Sequence, residues 1–301
     1  MSRIPYFKAN AIAEKTWQIE YAFTENEHMY SYLLEGGERA LLIDTMMGWG
    51  DLNAFCRTLT DKEIILVNTH AHPDHLGGNF AFEKCYIHPK EMPYFYHEKP
   101  WTSASMLESA KKSAKAEYAD AMEEADFAPE RPMQVLPVWE GDVFELGGRR
   151  VEVERVGGHT PGSIVLIDPQ TRFCFSGDAC NSHTLMNFAS SLSVEEYLGE
   201  LIEFKRQSHR FDVLSGGHIV LPPKVIDEGI EACAKVIAGT DAKFERPGMF
   251  GRTATFAVAF VGDTYELEGG KIFNMCYDPG KILAPEKTGR TLGLGPEPLF
   301  K

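Results

Sequence analysis

Short apolar runs separated by turn residues dominate this chain, and their spacing changes between period two and period 3.6 several times. Residues 17–23 and 29–34 read as strands joined by a polar turn, and after Gly36-Gly37 the run 39–44 reads as a third. Residues 51–60 predict a helix, because Asp51 suits an N-cap and Leu52, Phe55 and Leu59 then share a face. Ile64-Ile65-Leu66-Val67 is apolar without alternation, as expected of a parallel strand covered on both sides. Gly77-Gly78 leads to a short helix, and residues 85–88 read as the next strand.

The second half repeats this scheme. Strands are expected over 135–139, 142–146 and 150–156, with Gly147-Gly148 turning a hairpin, and over 163–168 and 172–176. Ser193 and Glu196 form a capping box that opens a helix burying Tyr197, Leu198, Leu201 and Ile202. A strand over 211–215 follows. Pro222-Pro223 then starts a helix to about residue 238, with Val225, Ile226, Ile230, Cys233 and Ile237 inward. Beyond Gly239 the pattern shortens to strands at 254–260 and 271–275 and then to turns. The fold class is therefore α/β (α+β) in two similar halves, with residues 1–240 as the main domain and 241–301 as a small β-rich extension over the core or a partner subunit.

Residues 89–134 exceed what such halves need and read as a helical insertion. Pro89, Pro93 and Pro100 break its first part, which carries Tyr94, Phe95, Tyr96, His97 and Trp101. Ser105 and Glu108 form a plausible capping box, and Met106, Ala110, Ala114, Tyr118 and Met122 mark one apolar stripe running to about Asp126. A substrate lid, a homodimer contact and ordinary packing are all open for this segment. Substrate choice would reside in loops 46–50, 89–104 and 180–192. Trp49 is either a pocket wall or packing.

Composition narrows the function. A formal charge of −14 argues against a nucleic-acid backbone as partner, since phosphate binding needs a basic face; a small phosphodiester stays open. No apolar run is long enough to span a membrane, and the N-terminus lacks a signal-peptide core, so a cytoplasmic protein is expected. Cys56, Cys85, Cys174, Cys180, Cys233 and Cys276 form no Cys-x-x-Cys pair and suit reduced, buried thiols, with Cys180 close enough to Asp178 to border a site. A Gly-x-Ser-x-Gly elbow, a Gly-x-Gly-x-x-Gly turn and a P-loop are all absent.

The densest chemistry lies in Thr69-His70-Ala71-His72-Pro73-Asp74-His75-Leu76-Gly77-Gly78, at the carboxyl end of the 64–67 strand. In extended chain His70 and His72 project to one side. Pro73 biases His72 toward extended geometry and turns the backbone, returning Asp74 and His75 to the same space. Asp44, ending its own strand nearby, is either a further acid of the site or a turn residue.

His-x-His-x-Asp-His resembles the signature of the metallo-β-lactamase superfamily, over roughly residues 15–240. The resemblance implies a four-layered αβ/βα sandwich. It also supplies the remaining ligands, in order: His159 in Gly157-Gly158-His159-Thr160-Pro161-Gly162-Ser163, Asp178 in Phe175-Ser176-Gly177-Asp178, and His218 in Ser215-Gly216-Gly217-His218. It implies that His70, His72 and His159 hold one metal, that Asp74, His75 and His218 hold the other, and that Asp178 bridges them. Two Zn(2+) per chain suit these donors, with iron or manganese possible. The ions would share a hydroxide nucleophile that Asp74 also orients, giving Asp74 a catalytic role.

The expected activity is hydrolysis of a small ester, thioester or lactone, with a small phosphodiester as the nearest variant. A mononuclear iron persulfide dioxygenase and a non-catalytic metal-binding module are the other classes such residues admit. Three departures refine this. Glyoxalase II enzymes continue into a helical glutathione-binding domain that is not legible here, flavodiiron reductases carry Glu at the position of His72, and true β-lactamases lack the Asp178 counterpart.

Overall fold

A computed structural model describes residues 4–25, 28–95, 103–128, 131–248 and 252–284. The strands β1 (Phe7–Ala13), β2 (Thr16–Tyr21), β3 (Tyr30–Glu35) and β4 (Arg39–Ile43) pair antiparallel in succession. Helix α1 (Leu52–Cys56) then crosses to β5 (Glu63–Val67), parallel to β4. Asp51 caps α1 as expected, its Oδ1 accepting from Ala54 N at 2.9 Å, but the helix stops at Cys56. Helix α2 (Pro73–Leu76), β6 (Lys84–Ile87), α3 (Met92–Phe95), α4 (Ser103–Ser113), α5 (Ala116–Ala119) and β7 (Gln134–Pro137) follow, and β1 to β7 form one sheet in chain order.

The second sheet uses β8 (Val143–Glu145), β9 (Arg150–Arg155), β10 (Ile164–Asp168) and β11 (Phe173–Gly177). Strand β12 (His183–Met186) leaves it before α6 (Val194–Gln207), and β13 (Val213–Gly216) and β14 (Val220–Leu221) rejoin it before α7 (Lys224–Ala238). Its order is β14-β13-β11-β10-β9-β8, with β11 and β13 parallel. A third sheet, β12-β17-β16-β15, joins the 183–186 strand to β15 (Phe244–Pro247), β16 (Thr253–Phe256) and β17 (Asn274–Tyr277). The residues after 240 are thus stitched to the main body through β12, which runs parallel to β17 with His183 opposite Asn274.

Period-two alternation assigns each strand residue to a layer. Leu34, Leu41, Ile43 and Val67 of the first sheet meet Val151, Val153, Ile164, Leu166 and Phe175 of the second. Their neighbours Leu33, Ala40, Leu42 and Leu66 point outward beneath Leu52 and Cys56 of α1 and Met106 and Ala110 of α4. On the far side Val165, Ile167, Cys174 and Leu214 lie under Tyr197, Leu201 and Phe204 of α6 and Val225, Ile226, Cys233 and Val236 of α7. Four layers result, helix–sheet–sheet–helix, as the sandwich expectation requires. Each fully buried Leu or Ile contributes about 1.5–3 kcal/mol before chain entropy is counted.

Several local expectations differ. The insertion helix does not run to residue 126. It ends at Ser113, because Ala114 bridges Thr24 and Lys115 leaves the helical region (φ −56°, ψ 142°), its N–H donating to Phe23 O at 2.9 Å. Met106, Ala110 and Met122 are still buried, so the stripe is real but carried by a broken helix. Ser105 lies inside α4 rather than capping it. On α6 the capping box is as expected, but Ile202 is 40% exposed, Phe204 taking the inward position. Tyr96, His97 and Trp101 lie outside the described residues. Among the described residues no helix is long and apolar enough to cross a membrane.

The hairpin preceding β9 hides a charge that hydrophobic patterning cannot flag. Arg149 is buried against Asp168, its Nε 3.1 Å from Asp168 Oδ2, and also donates to Lys15 O, Glu35 O and Thr16 Oγ1. It pins the two sheets together at the end remote from the histidines.

Candidate metal centre

Loops at the carboxyl ends of β4, β5, β9, β11 and β13 converge at one end of the sandwich, because all five strands run the same way. His72 takes extended geometry (φ −89°, ψ 149°) and Pro73 opens α2, so one short turn carries Asp74 and His75 back past His70 and His72. From the second sheet β9 delivers His159, β11 delivers Asp178 and β13 delivers His218. All seven side chains expected from the sequence come together, in two groups.

In the first group His72 Nδ1 stands 3.1 Å from His70 Nε2 and 2.8 Å from His159 Nε2. In the second, His218 Nε2 is 3.2 Å from Asp74 Oδ2, and His75 Nε2 is 3.8 Å from the same oxygen. Asp178 is a member of the second group, its Oδ2 lying 3.7 Å from His75 Nε2 and 3.5 Å from His218 Nε2, and the same oxygen is 3.7 Å from His159 Nε2 of the first. Donors bonded at about 2.0–2.1 Å around a tetrahedral ion are themselves about 3.3–3.4 Å apart. The observed separations, from 2.8 to 3.8 Å, bracket that value. Further support comes from His75 Nε2 and Asp178 Oδ1, both buried without a hydrogen-bond partner. Such orphans cost about 1–3 kcal/mol each, and a shared cation would satisfy them.

The far ring nitrogens of His70, His75, His159 and His218 are held by acceptors. His159 Nδ1 donates to Leu185 O at 2.7 Å and His218 Nδ1 to His28 O at 2.6 Å. Asp44 serves two rings at once. Its Oδ2 accepts from His75 Nδ1 at 2.8 Å and from Thr69 Oγ1 at 2.7 Å, while Thr69 Oγ1 lies 3.1 Å from His70 Nδ1 and accepts from it. Each of these rings therefore aims its Nε2 at the centre. Asp44 itself is buried in the left-handed region (φ 60°) and also accepts from Thr69 N at 2.8 Å. The sequence marked it as an acid of the site or a turn residue; its carboxylate is hydrogen-bonded to the ring of His75.

Glu91 was not legible as part of the site. Buried in the insertion, it accepts from Ala71 N at 2.9 Å and Gly162 N at 2.6 Å, clamping the loops of His70–His72 and His159 together. Only its place two residues after Pro89 hinted at a loop position. Glycines allow the close packing: a Cβ at Gly217 would stand 2.3 Å from His75 Cε1, and one at Gly177 2.3 Å from Thr69 Oγ1. Trp49 is a packing residue, stacked near Tyr21 in the outer core, and Cys180 faces the α6–α7 core with its thiol pushed up to about 12 by burial.

Electrostatics divides the two groups. Burial lowers His70 and His159 and brings His72 down to about 3, so the first group consists of neutral imidazoles. Burial opposes charge on His75 and His218 too, but the carboxylates win. Asp44, Asp74 and Asp178 lift His75 to about 10, and Asp178 and Asp74 lift His218 to about 11. Against burial, His75 and His218 hold Asp74 at about 2 and Asp178 well below the usual carboxylate range. Without a cation the second group is a compensated cluster of two carboxylates and two imidazoliums.

The family profile described as Metallo-beta-lactamase superfamily matches residues 28–215, more than half of the chain, and the chain belongs to that superfamily. Among curated relatives, the acyl-coenzyme A thioesterase MBLAC2 of Gallus gallus is 26% identical over 208 residues, 66% of this chain and 74% of its own. The Homo sapiens protein of the same name is 24% identical over 212 residues, 66% and 75% of the two chains. Solved structures agree on the fold. A metallo-beta-lactamase from Pontibacter korlensis aligns with TM-score 0.53 at 18% identity, covering 75% of this chain and 97% of its own. A metallo-beta-lactamase family protein from Thermus thermophilus aligns with TM-score 0.52 at 19% identity, covering 76% and 82%.

Proposed function

We propose that the protein is a metal-dependent thioesterase in which His70, His72 and His159 hold one divalent cation, Asp74, His75 and His218 hold a second, and Asp178 joins them. The position of Asp178 carries this reading: one of its oxygens stands 3.7 Å from both His159 Nε2 and His75 Nε2, within reach of a cation in either group. Zinc suits a set of imidazoles with some carboxylate. When bound, two such ions supply Lewis acidity to a carbonyl and lower the pKa of an intervening water toward neutrality.

The protein's own groups direct the reaction. Asp74 stays ionised across the physiological range, and its partly exposed carboxylate is placed to accept a hydrogen bond from the attacking water and aim its oxygen. Water oxygen bonds to the thioester carbon, the C–S bond breaks, and a carboxylic acid and a thiol leave. The ring of Phe188, 5.1 Å from that of His72, gives the first group an apolar wall. Thioesters are preferred among esters, thioesters and lactones because the curated relatives are acyl-coenzyme A thioesterases.

Thiol release by the zinc-loaded protein tests this across coenzyme A thioesters of graded acyl length, beside an oxygen ester, a lactone and a phosphodiester. Turnover of thioesters that disappears in His72→Ala is expected. Thioester rates equal in the parent and His72→Ala would reject the proposal.

A further inference from the structure

A cavity of about 780 Å³ lies beside the first histidine group, between β12 with its following loop and the sheet built by residues 244–277. That volume falls within the range of small-molecule sites. Two of its lining residues also belong to the metal centre's surroundings. Leu185 supplies the carbonyl that accepts from His159 Nδ1, and the ring of Phe188 lies 5.1 Å from that of His72 and 5.7 Å from that of His159. Leu185 and Phe188 thus adjoin both the histidines and this space.

The lining has a definite chemistry. Arg246 sits in the corner of two perpendicular rings, its Cζ 4.6 Å from the Phe260 centroid and 4.7 Å from that of Tyr265, and its Nη1 donates to Thr264 O at 3.3 Å. The two rings hold the guanidinium by cation–π attraction and leave further N–H donors for an anion. Arg252 lines the same cavity, two residues before Ala254, the register partner of Arg246, and neither arginine has a carboxylate partner among the described residues. Asp278 is the acid in the lining, and its Oδ1 already accepts from Gly280 N at 2.8 Å. In a chain of net charge −14, a pocket with two cations to one acid is a local reversal of sign. Tyr265, 73% exposed, adds accessible aromatic surface beside the stacked rings of His183 and Phe260. An acyl tail needs no guanidinium; a phosphorylated, aromatic-bearing thiol uses every one of these features.

We infer that this cavity receives the phosphate-bearing arm of a coenzyme A thioester, with Arg246 and Arg252 as its anion contacts, so that the C-terminal sheet selects the thiol half of the substrate. This rests on the thioesterase reading of the metal centre.

The test compares acyl-coenzyme A with the same acyl group on N-acetylcysteamine, which has no phosphate, using zinc-loaded parent, Arg252→Ala and Arg246→Gln. The ratio of kcat/KM for the coenzyme A ester to that for the N-acetylcysteamine ester should fall about tenfold in each variant. An unchanged ratio would overturn the inference, whether both rates hold or both fall, and leave the thioesterase reading standing. Calorimetric titration of free coenzyme A into His72→Ala, with and without Arg252→Ala, reads binding apart from turnover. Weaker binding in the double variant supports the site. Equal binding, or none to either protein, refutes it.

Discussion

Asp178→Asn is expected to yield a folded protein that keeps about one metal ion per chain and hydrolyses thioesters about 10²–10³-fold more slowly than the parent. The substitution is nearly isosteric, so packing is preserved, but it replaces an anionic oxygen 3.7 Å from a ring nitrogen of each group with a neutral amide. The three neutral imidazoles of the first group still form a cage. The second group loses one of its two carboxylates and with it much of its pull on a divalent ion. Metal analysis after gel filtration, alongside a steady-state assay, measures both effects. Two ions per chain at parental activity would show that Asp178 does not join the groups.

Asp44→Asn should cost about 10–100-fold in metal affinity or activity although Asp44 touches no cation, because orienting acids of this kind act through the ligands they hold. The argument is one of donors and acceptors. Asp44 accepts from Thr69 N, Thr69 Oγ1 and His75 Nδ1, and has no proton to give. An amide must place its NH2 against one of these donors. The Thr69 backbone N–H cannot reverse, so the NH2 faces Thr69 Oγ1 and His75 Nδ1. His75 then takes the opposite tautomer, with a proton on Nε2, and Thr69 hands its own proton to His70 Nδ1 with the same outcome. One ligand in each group presents N–H where a lone pair is needed. Zinc competition with a chromogenic chelator, with circular dichroism to confirm the fold, reads this directly. Affinity equal to the parent's would remove Asp44 from the account.

Much of the centre was legible because its chemistry is concentrated. Four of the seven side chains fall within the His70–His75 segment, and the others sit beside glycines at strand ends, where a bulky polar residue has few other uses. Helices α6 and α7 announced themselves through Ser193–Glu196 and Pro222-Pro223. What escaped depended on contacts remote in sequence. β1 is an edge strand whose mixed exposure leaves no clean alternation, and β12 exists because β17 lies beside it. The break at Ser113 is imposed by Phe23 and Thr24, about 90 residues earlier, against a stripe that favours continuation. Glu91 and Arg149 are charges buried by partners that no local pattern reveals. Asp44 was noticed, but its task became apparent only when Thr69 and His75 were placed around it.

The central claim is that two cations sit side by side in the two groups with Asp178 between them. Anomalous diffraction at the zinc edge from crystals of the zinc-loaded protein tests it most directly. The prediction is two peaks about 3.5–4 Å apart, one among His70, His72 and His159 and one among Asp74, His75 and His218, with Asp178 within bonding distance of both. A single peak at full loading, or a pair of peaks with Asp178 turned away from either, would contradict it.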